Sequence, residues 1–184
     1  MELLQGDGAR SIGYEDSMDT YNLIKRASAF AREKEFNKAI AVLNEVYVQG
    51  EPDVSTLIKV IPYFQKAGRY DELQAYCKNI LIPQLSISNK NIFSHKCQEI
   101  QQAFENLGLH KLYSKLELCA KREKNEHDRL AFHALSTSHY LEYERYLAIG
   151  EKKELRKGFE KMVSIFGEDT NEWPESVRKR YTDI

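Results

Sequence analysis

Five histidines, three cysteines and two groups of cations are the residues of this 184-residue chain whose types could do chemistry. Imidazole is the usual general base near neutral pH and the commonest metal ligand. His95 and Cys97 stand as H-x-C. That spacing puts the two side chains on different faces of a helix, and no second ligand pair follows at a zinc-like interval. No metal or other cofactor is expected. His127, His133 and His139 recur every six residues, which turns the helical face by about 120° at each step. Neither these three nor His110 converge on one point. Cys77, Cys97 and Cys119 are odd in number and widely spaced, which argues against a disulfide framework. Each has apolar neighbours, as a buried thiol acting as a small hydrophobe would. No Gly-rich phosphate loop, nucleophile elbow or H-E-x-x-H string is present.

Lys152, Lys153, Arg156 and Lys157 crowd one segment, and Arg178, Lys179 and Arg180 mark the tail. Glu151, Glu154 and Glu160 interleave with the first group. This pattern reads as a solvated helix face, with a phosphate or an acidic partner as the other reading. The formal net charge is −1 and neither half is basic. The electrostatic footprint of a non-specific nucleic-acid binder is therefore missing at this level. Tyr140, Tyr143, Tyr146 and Leu147 form a stripe whose expected role is packing against the next helix.

These residues need elements to hold them. Hydrophobic residues make up 42% and charged residues 30%, the balance of a folded, water-soluble chain. No apolar run approaches the roughly 18 residues that span a bilayer. The first residues lack the basic start and apolar stretch of a signal peptide, so the expected location is the cytoplasm. Residues 1–19 hold Gly6, Gly8 and Gly13 with little periodicity and read as a flexible lead-in. Residues 20–184 read as one helical domain. Later glycines fall where turns are wanted, at Gly50, Gly68, Gly108, Gly150 and Gly167, with Gly158 inside a helix. Between them apolar residues recur at i, i+3, i+4 and i+7, and no stretch alternates as a strand would. Four hairpins follow. They are residues 20–33 with 36–49, 54–67 with 70–81, 91–106 with 109–124, and 126–148 with 152–166. Asp53 is placed as an N-cap, and Pro62 should kink or split its helix. Pro83 and the polar run 86–90 read as a connection. The tail, with Trp173, Pro174 and a short helix to about Tyr181, reads as a cap on the last hairpin.

An internal repeat underlies this division. Phe30 and Phe64 lie 34 residues apart, and Leu23 with Leu57, Phe36 with Tyr70, and Ala39 with Leu73 keep that offset. Lys34 and Gly68 share a turn position. Leu23, Ala27, Phe30, Phe36, Ala39, Ile40 and Leu43, echoed more weakly by Leu57, Phe64, Gly68, Tyr70 and Leu73, resemble the tetratricopeptide repeat. The resemblance covers about residues 20–84, and the remainder reads as a generic α-solenoid. It implies an all-α, right-handed α-α superhelix of about four stacked hairpins. It also implies a groove, lined by first helices, that takes a peptide or a protein surface. By position the groove residues would be Tyr21, Ile24, Ser28, Ala31, Arg32, Ser55, Ile58, Lys59, Pro62 and Gln65. Only Lys59 matches the charge of a carboxylate clamp, so binding of a chaperone tail is not expected.

Arg122 and His127 form R-x4-H, a string that resembles the motif of the HEPN ribonucleases, which are also all-α. That resemblance implies a dimer in which His127 acts as a base on an RNA 2′-hydroxyl. The principal expectation is different: a non-catalytic scaffold, adaptor or regulator that binds another protein. The nuclease, and a nucleic-acid-associated protein using the basic tail, are the alternatives. A homodimer is compatible with each.

Overall fold

The computed structural model describes residues 12–49 and 52–181, and all described secondary structure is helical. Helix α1 spans Ile12–Arg32 and α2 spans Phe36–Gln49. Residues 54–66 form an interrupted helix, α3, and residues 70–93 form α4. Helix α5 spans Gln98–Arg122 and α6 spans Glu126–Phe166. A short 3₁₀ turn, Thr170–Glu172, and α7, Glu175–Arg178, make the tail.

Three turns have one backbone plan. Lys34, Gly68 and Lys124 all have positive φ, at 64°, 72° and 58°. After each, an amide N–H reaches back five residues to a carbonyl: Glu35 to Phe30 at 2.9 Å, Arg69 to Phe64 at 3.0 Å, Asn125 to Ala120 at 3.0 Å. This is the Schellman closure of a helix C-terminus, which satisfies carbonyls that would otherwise be orphaned. It reverses the chain at α1–α2, α3–α4 and α5–α6. The next helices start on polar caps where the sequence offers them. Asp53 accepts the Thr56 N–H at 2.8 Å, and Asn125 accepts the Asp128 N–H at 3.0 Å.

Helix α3 sits at the centre and packs on α2 and α5. Pro62 cannot donate to the Ile58 carbonyl. The chain answers with a 3₁₀ turn, Ile58–Val60, in which the Ile61 N–H donates to that carbonyl instead. The buried Tyr47 hydroxyl from α2 then lies 3.0 Å from the Leu57 carbonyl and 3.3 Å from that of Thr56. The split expected at Pro62 is present, and a tyrosine stitches it. Around it lies one continuous core, with Ala27 of α1, Leu43 and Val46 of α2, Leu73 and Leu81 of α4, Leu112 and Leu116 of α5, and Phe132 of α6.

Four expectations fail. The structure places helix at residues 12–19, within the expected lead-in. Residues 1–11 and the turn expected at Gly50 lie outside the described residues. The connection expected after Leu81 is helix, because a π-helical turn, Cys77–Leu81, precedes Pro83 and has already set aside the i−4 bonding that proline cannot make. The polar run 86–90 is not a loop, because its polar groups work inward. Ser88 donates to the Pro52 carbonyl at 3.0 Å, and Asn89 to that of Gln101 at 2.8 Å. Gly108 and Gly150 are not turns either. A Cβ on Gly108 would stand 2.8 Å from Leu85 Cδ1, and one on Gly150 would stand 2.7 Å from Ile100 Cδ1. Both glycines mark close helix contacts. The third and fourth hairpins are thus one long pair, α5 and α6, and the described chain has three hairpins.

At the far end α6 folds its tail back on itself. Trp173 is 3% exposed, its indole N–H donates to the Gly167 carbonyl at 2.9 Å, and its ring packs on Phe159, Phe166 and Tyr181. No described helix is long and apolar enough to cross a membrane.

Candidate functional site: a cleft between α2 and α4

The face inferred from repeat position is only partly open. Tyr21 is 62% exposed, and Arg32 and Ser55 are exposed as well. Ile24 and Ile58 spend part of their surface on the core. The Ser28 hydroxyl donates to the Ile24 carbonyl of its own helix at 2.9 Å. Ser55 donates to the Asp53 carboxylate at 2.9 Å. Burial acts to raise the Asp53 pKa, but hydrogen bonds from Thr56 and Ser55 and the nearby Lys59 outweigh it and hold the carboxyl below its ordinary value. Lys59, Ala31 and Pro62 are half-buried. Gln65 donates to Glu123 at 2.7 Å, joining α3 to the end of α5. Neither of the two clefts described below is lined by any of these residues.

The first cleft lies between α2 and α4, has a volume of about 550 Å³, and is built from three asparagines over an apolar floor. Asn37 and Asn44 are seven residues apart on α2, so they share a face about 10 Å apart along the axis. Asn79 comes from α4, and Ile40 and Phe64 lie beneath. The arrangement is braced. Arg69 grips Glu72 with two N–H groups, at 2.8 and 2.6 Å, and lies over the Phe64 ring at 4.8 Å. An N–H on its Nη1 donates to the Asn37 side-chain oxygen at 3.2 Å. The Tyr76 hydroxyl donates to the Asn44 side-chain oxygen. Burial pushes the Tyr76 pKa up, so the phenol keeps its proton and serves as a donor. Arginine has no acceptor. The atom of Asn37 that faces it is therefore the oxygen, and the amide NH₂ is left for the cleft. Arg69 thus occupies the Asn37 oxygen and Tyr76 that of Asn44, which leaves the NH₂ groups as donors.

A second cleft of about 620 Å³ lies between α5, α6 and the tail. Ile100, Phe104 and Leu147 line one end, and Lys157, Lys161 and Arg180 line the other.

The residues singled out for chemistry are dispersed. The His127 side chain is 93% exposed beside Asp128, and Arg122 is exposed on the last turn of α5. Asp128 itself ties the hairpins together, accepting from Tyr70 at 2.9 Å, Gln74 at 3.1 Å and Asn125 at 2.9 Å. Among the described residues a serine–histidine contact joins α5 and α6. His110 Nδ1 lies 3.0 Å from both the Ser136 hydroxyl and the Ser136 carbonyl, and Ser114 Oγ lies 2.8 Å from Ser136 Oγ. Ser136 is sealed between α5 and α6, so a substrate has no approach to it. His139 lies parallel to Tyr113, donates from Nδ1 to the Asn106 side-chain oxygen at 2.8 Å, and has its pKa lowered by burial. Both histidines are spaced as interface residues, which is the signal that could have found them. Cys77 and Cys119 are buried, and burial pushes the Cys77 thiol up to about 12. Among the described residues no group of three His, Cys, Asp or Glu side chains is placed to hold a metal ion. Of the tyrosine stripe, Tyr140 meets His110 and Tyr143 meets Phe104.

Compared with protein-family models, curated proteins and solved structures, the chain matches none.

Proposed function

We propose that this chain is a non-catalytic scaffold, a stack of hairpins of tetratricopeptide type, that recognises an extended segment of another protein. The observation that carries the reading is the braced asparagine pair. An extended peptide shows backbone carbonyls and N–H groups along both of its edges. Asparagine NH₂ groups held in place can donate to those carbonyls without reference to the side chains between them. Preorganised donors cut the ordering cost of binding, and Arg69 and Tyr76 supply that preorganisation here. The apolar floor of Ile40, Phe64 and Ile80 would take the alternate side chains. The three equivalent turns, two of them 34 residues apart, support the repeat reading. The proposed site is the face of the second helices. The first-helix residues Tyr21, Ile24, Ser28, Arg32, Ser55, Ile58, Lys59 and Gln65 are the competing surface.

Selection of displayed random peptides against the full chain tests this. Enriched peptides should bind wild type and lose at least about tenfold affinity on Asn37→Ala with Asn44→Ala, about 1.4 kcal/mol for two hydrogen bonds. Tyr21→Ala with Lys59→Ala should leave binding intact. The reverse pattern would move the site to the first helices. RNA cleavage by the pure chain, lost in His127→Ala, would end the non-catalytic reading.

A further inference from the structure

The second cleft has a different chemistry, and its polarity runs along one helix. At one end Phe104 and Ile100 of α5 and Leu147 of α6 give an apolar floor. Ten residues further along α6, about 15 Å at the helical rise, stand Lys157 and Lys161, one turn apart, facing Arg180 of the tail. Among the described residues these three cations form no ion pair. Two carboxylates, Glu151 and Glu154, and a fourth cation, Lys96, also line the cleft. Glu154 stands one turn before Lys157, and the Cys97 N–H, helped by Lys157 and Lys96, holds its carboxyl below the ordinary value. Glu154 is already committed, accepting the Cys97 backbone N–H at 2.6 Å. The wall is the tail itself. Tyr181 sets its hydroxyl over Gly158, where a Cβ would stand 2.8 Å from it, and packs its ring on Phe159 and Trp173.

We propose that this cleft binds a free amphipathic anion, a single-chain carboxylate whose head meets Lys157, Lys161 and Arg180 and whose alkyl chain lies along α6 towards Phe104 and Leu147. The volume of about 620 Å³ is that of a small-molecule site. Four cations against two carboxylates favour a negative head, and the apolar floor favours a chain. A cationic amphiphile would meet three like charges, and a neutral one would leave them unused. The concave form encloses a chain between two helices and the tail, which a bilayer surface cannot enter. This is a site separate from the α2–α4 cleft, and either can fail without the other.

The chain holds a single tryptophan, Trp173, and it touches the Tyr181 wall. Dodecanoate is therefore titrated into the full chain, with Trp173 emission and calorimetry read in parallel. Saturable binding is expected, at least about tenfold weaker for dodecanol, which lacks the charge, and for hexanoate, which lacks the chain. Lys157→Gln with Lys161→Gln removes two exposed cations and should weaken dodecanoate by about tenfold or more while leaving dodecanol unchanged. The circular dichroism of the variant, unchanged from wild type, would show that the loss is not unfolding. The proposal is overturned if calorimetry shows no saturable heat, if dodecanol or hexanoate binds as well as dodecanoate, if the double variant keeps full affinity, or if the chain binds only anionic vesicles.

Discussion

Gly150 offers a substitution in which two effects of known size oppose one another. In a helix interior, alanine is favoured over glycine by about 0.8–1.0 kcal/mol, so propensity alone makes Gly150→Ala stabilising. The packing works against it. A Cβ there would meet Ile100 Cδ1 at 2.7 Å, Cγ1 at 2.8 Å and the Ile100 backbone nitrogen at 3.0 Å. A side chain can turn away, but the backbone nitrogen can retreat only by separating α5 from α6. Overpacking of this kind costs about 1–3 kcal/mol. The two ranges differ by about 0–2 kcal/mol, and the backbone contact puts Gly150→Ala in the upper half, a destabilisation of about 1–2 kcal/mol and a fall in melting temperature of roughly 2–8 °C for a chain this size. Gly158 is the control. Its Cβ would meet only the Tyr181 hydroxyl, at 2.8 Å, which a rotation of the tail residue relieves. Gly158→Ala should be neutral or stabilising by up to about 1 kcal/mol. Gly108→Ala should fall between the two, since its neighbour is the Leu85 side chain alone. Urea unfolding followed by far-UV circular dichroism gives the order. If Gly150→Ala matches or exceeds wild type, or if Gly158→Ala loses more, close packing is not why Gly150 is glycine.

Tyr47→Phe removes the hydroxyl that serves the Leu57 and Thr56 carbonyls at the α3 break and should cost about 1–2 kcal/mol, read as a lower urea midpoint with unchanged slope. Lys34→Gly and Lys124→Gly relieve left-handed backbone at φ 64° and 58°, and each should raise stability by about 0.5–1 kcal/mol in the same assay. His139 has a folded pKa below its unfolded value, through burial. The unfolded chain therefore binds more protons as pH falls below about 6.5, and stability that is full above that pH is lost beneath it. His139→Gln should flatten this part of the pH–melting curve, and an unchanged slope would place the titration elsewhere.

The first two hairpins were legible because local and tertiary signals agreed. Phe36, Val54 and Tyr70 open helices where the periodicity predicts, and Asp53 caps as expected. The second half was misread because polar residues and glycines have two uses. Gly108 and Gly150 admit a neighbouring side chain, and Ser88 and Asn89 hydrogen-bond inward. Composition alone cannot tell these roles from turns, since both require a small residue or a local hydrogen-bonding group. The asparagine cleft was missed for a related reason. Asn37 and Asn44 carry no charge and belong to no motif, and only Arg69 and Tyr76, from another hairpin, make them a pair. The lysines of the second cleft were noted as a cluster, but Arg180 joins them only once the tail has folded back.

The amide at the start of α5 has its acceptor far along the chain. Cys97 offers no side-chain cap, and the carboxylate that receives its N–H belongs to Glu154, 57 residues later. Lys153 and Glu99 join the same two segments. During synthesis at about 5–20 residues per second, the Cys97 N–H would wait roughly 3–11 seconds for Glu154 to be made. The nascent protein thus passes through an interval in which two hairpins can be complete and the first helix of the third, α5, has its leading amide unmet. A ribosome that stalls before codon 154 would hold that end exposed, and a chaperone acting on this protein would have its opportunity there.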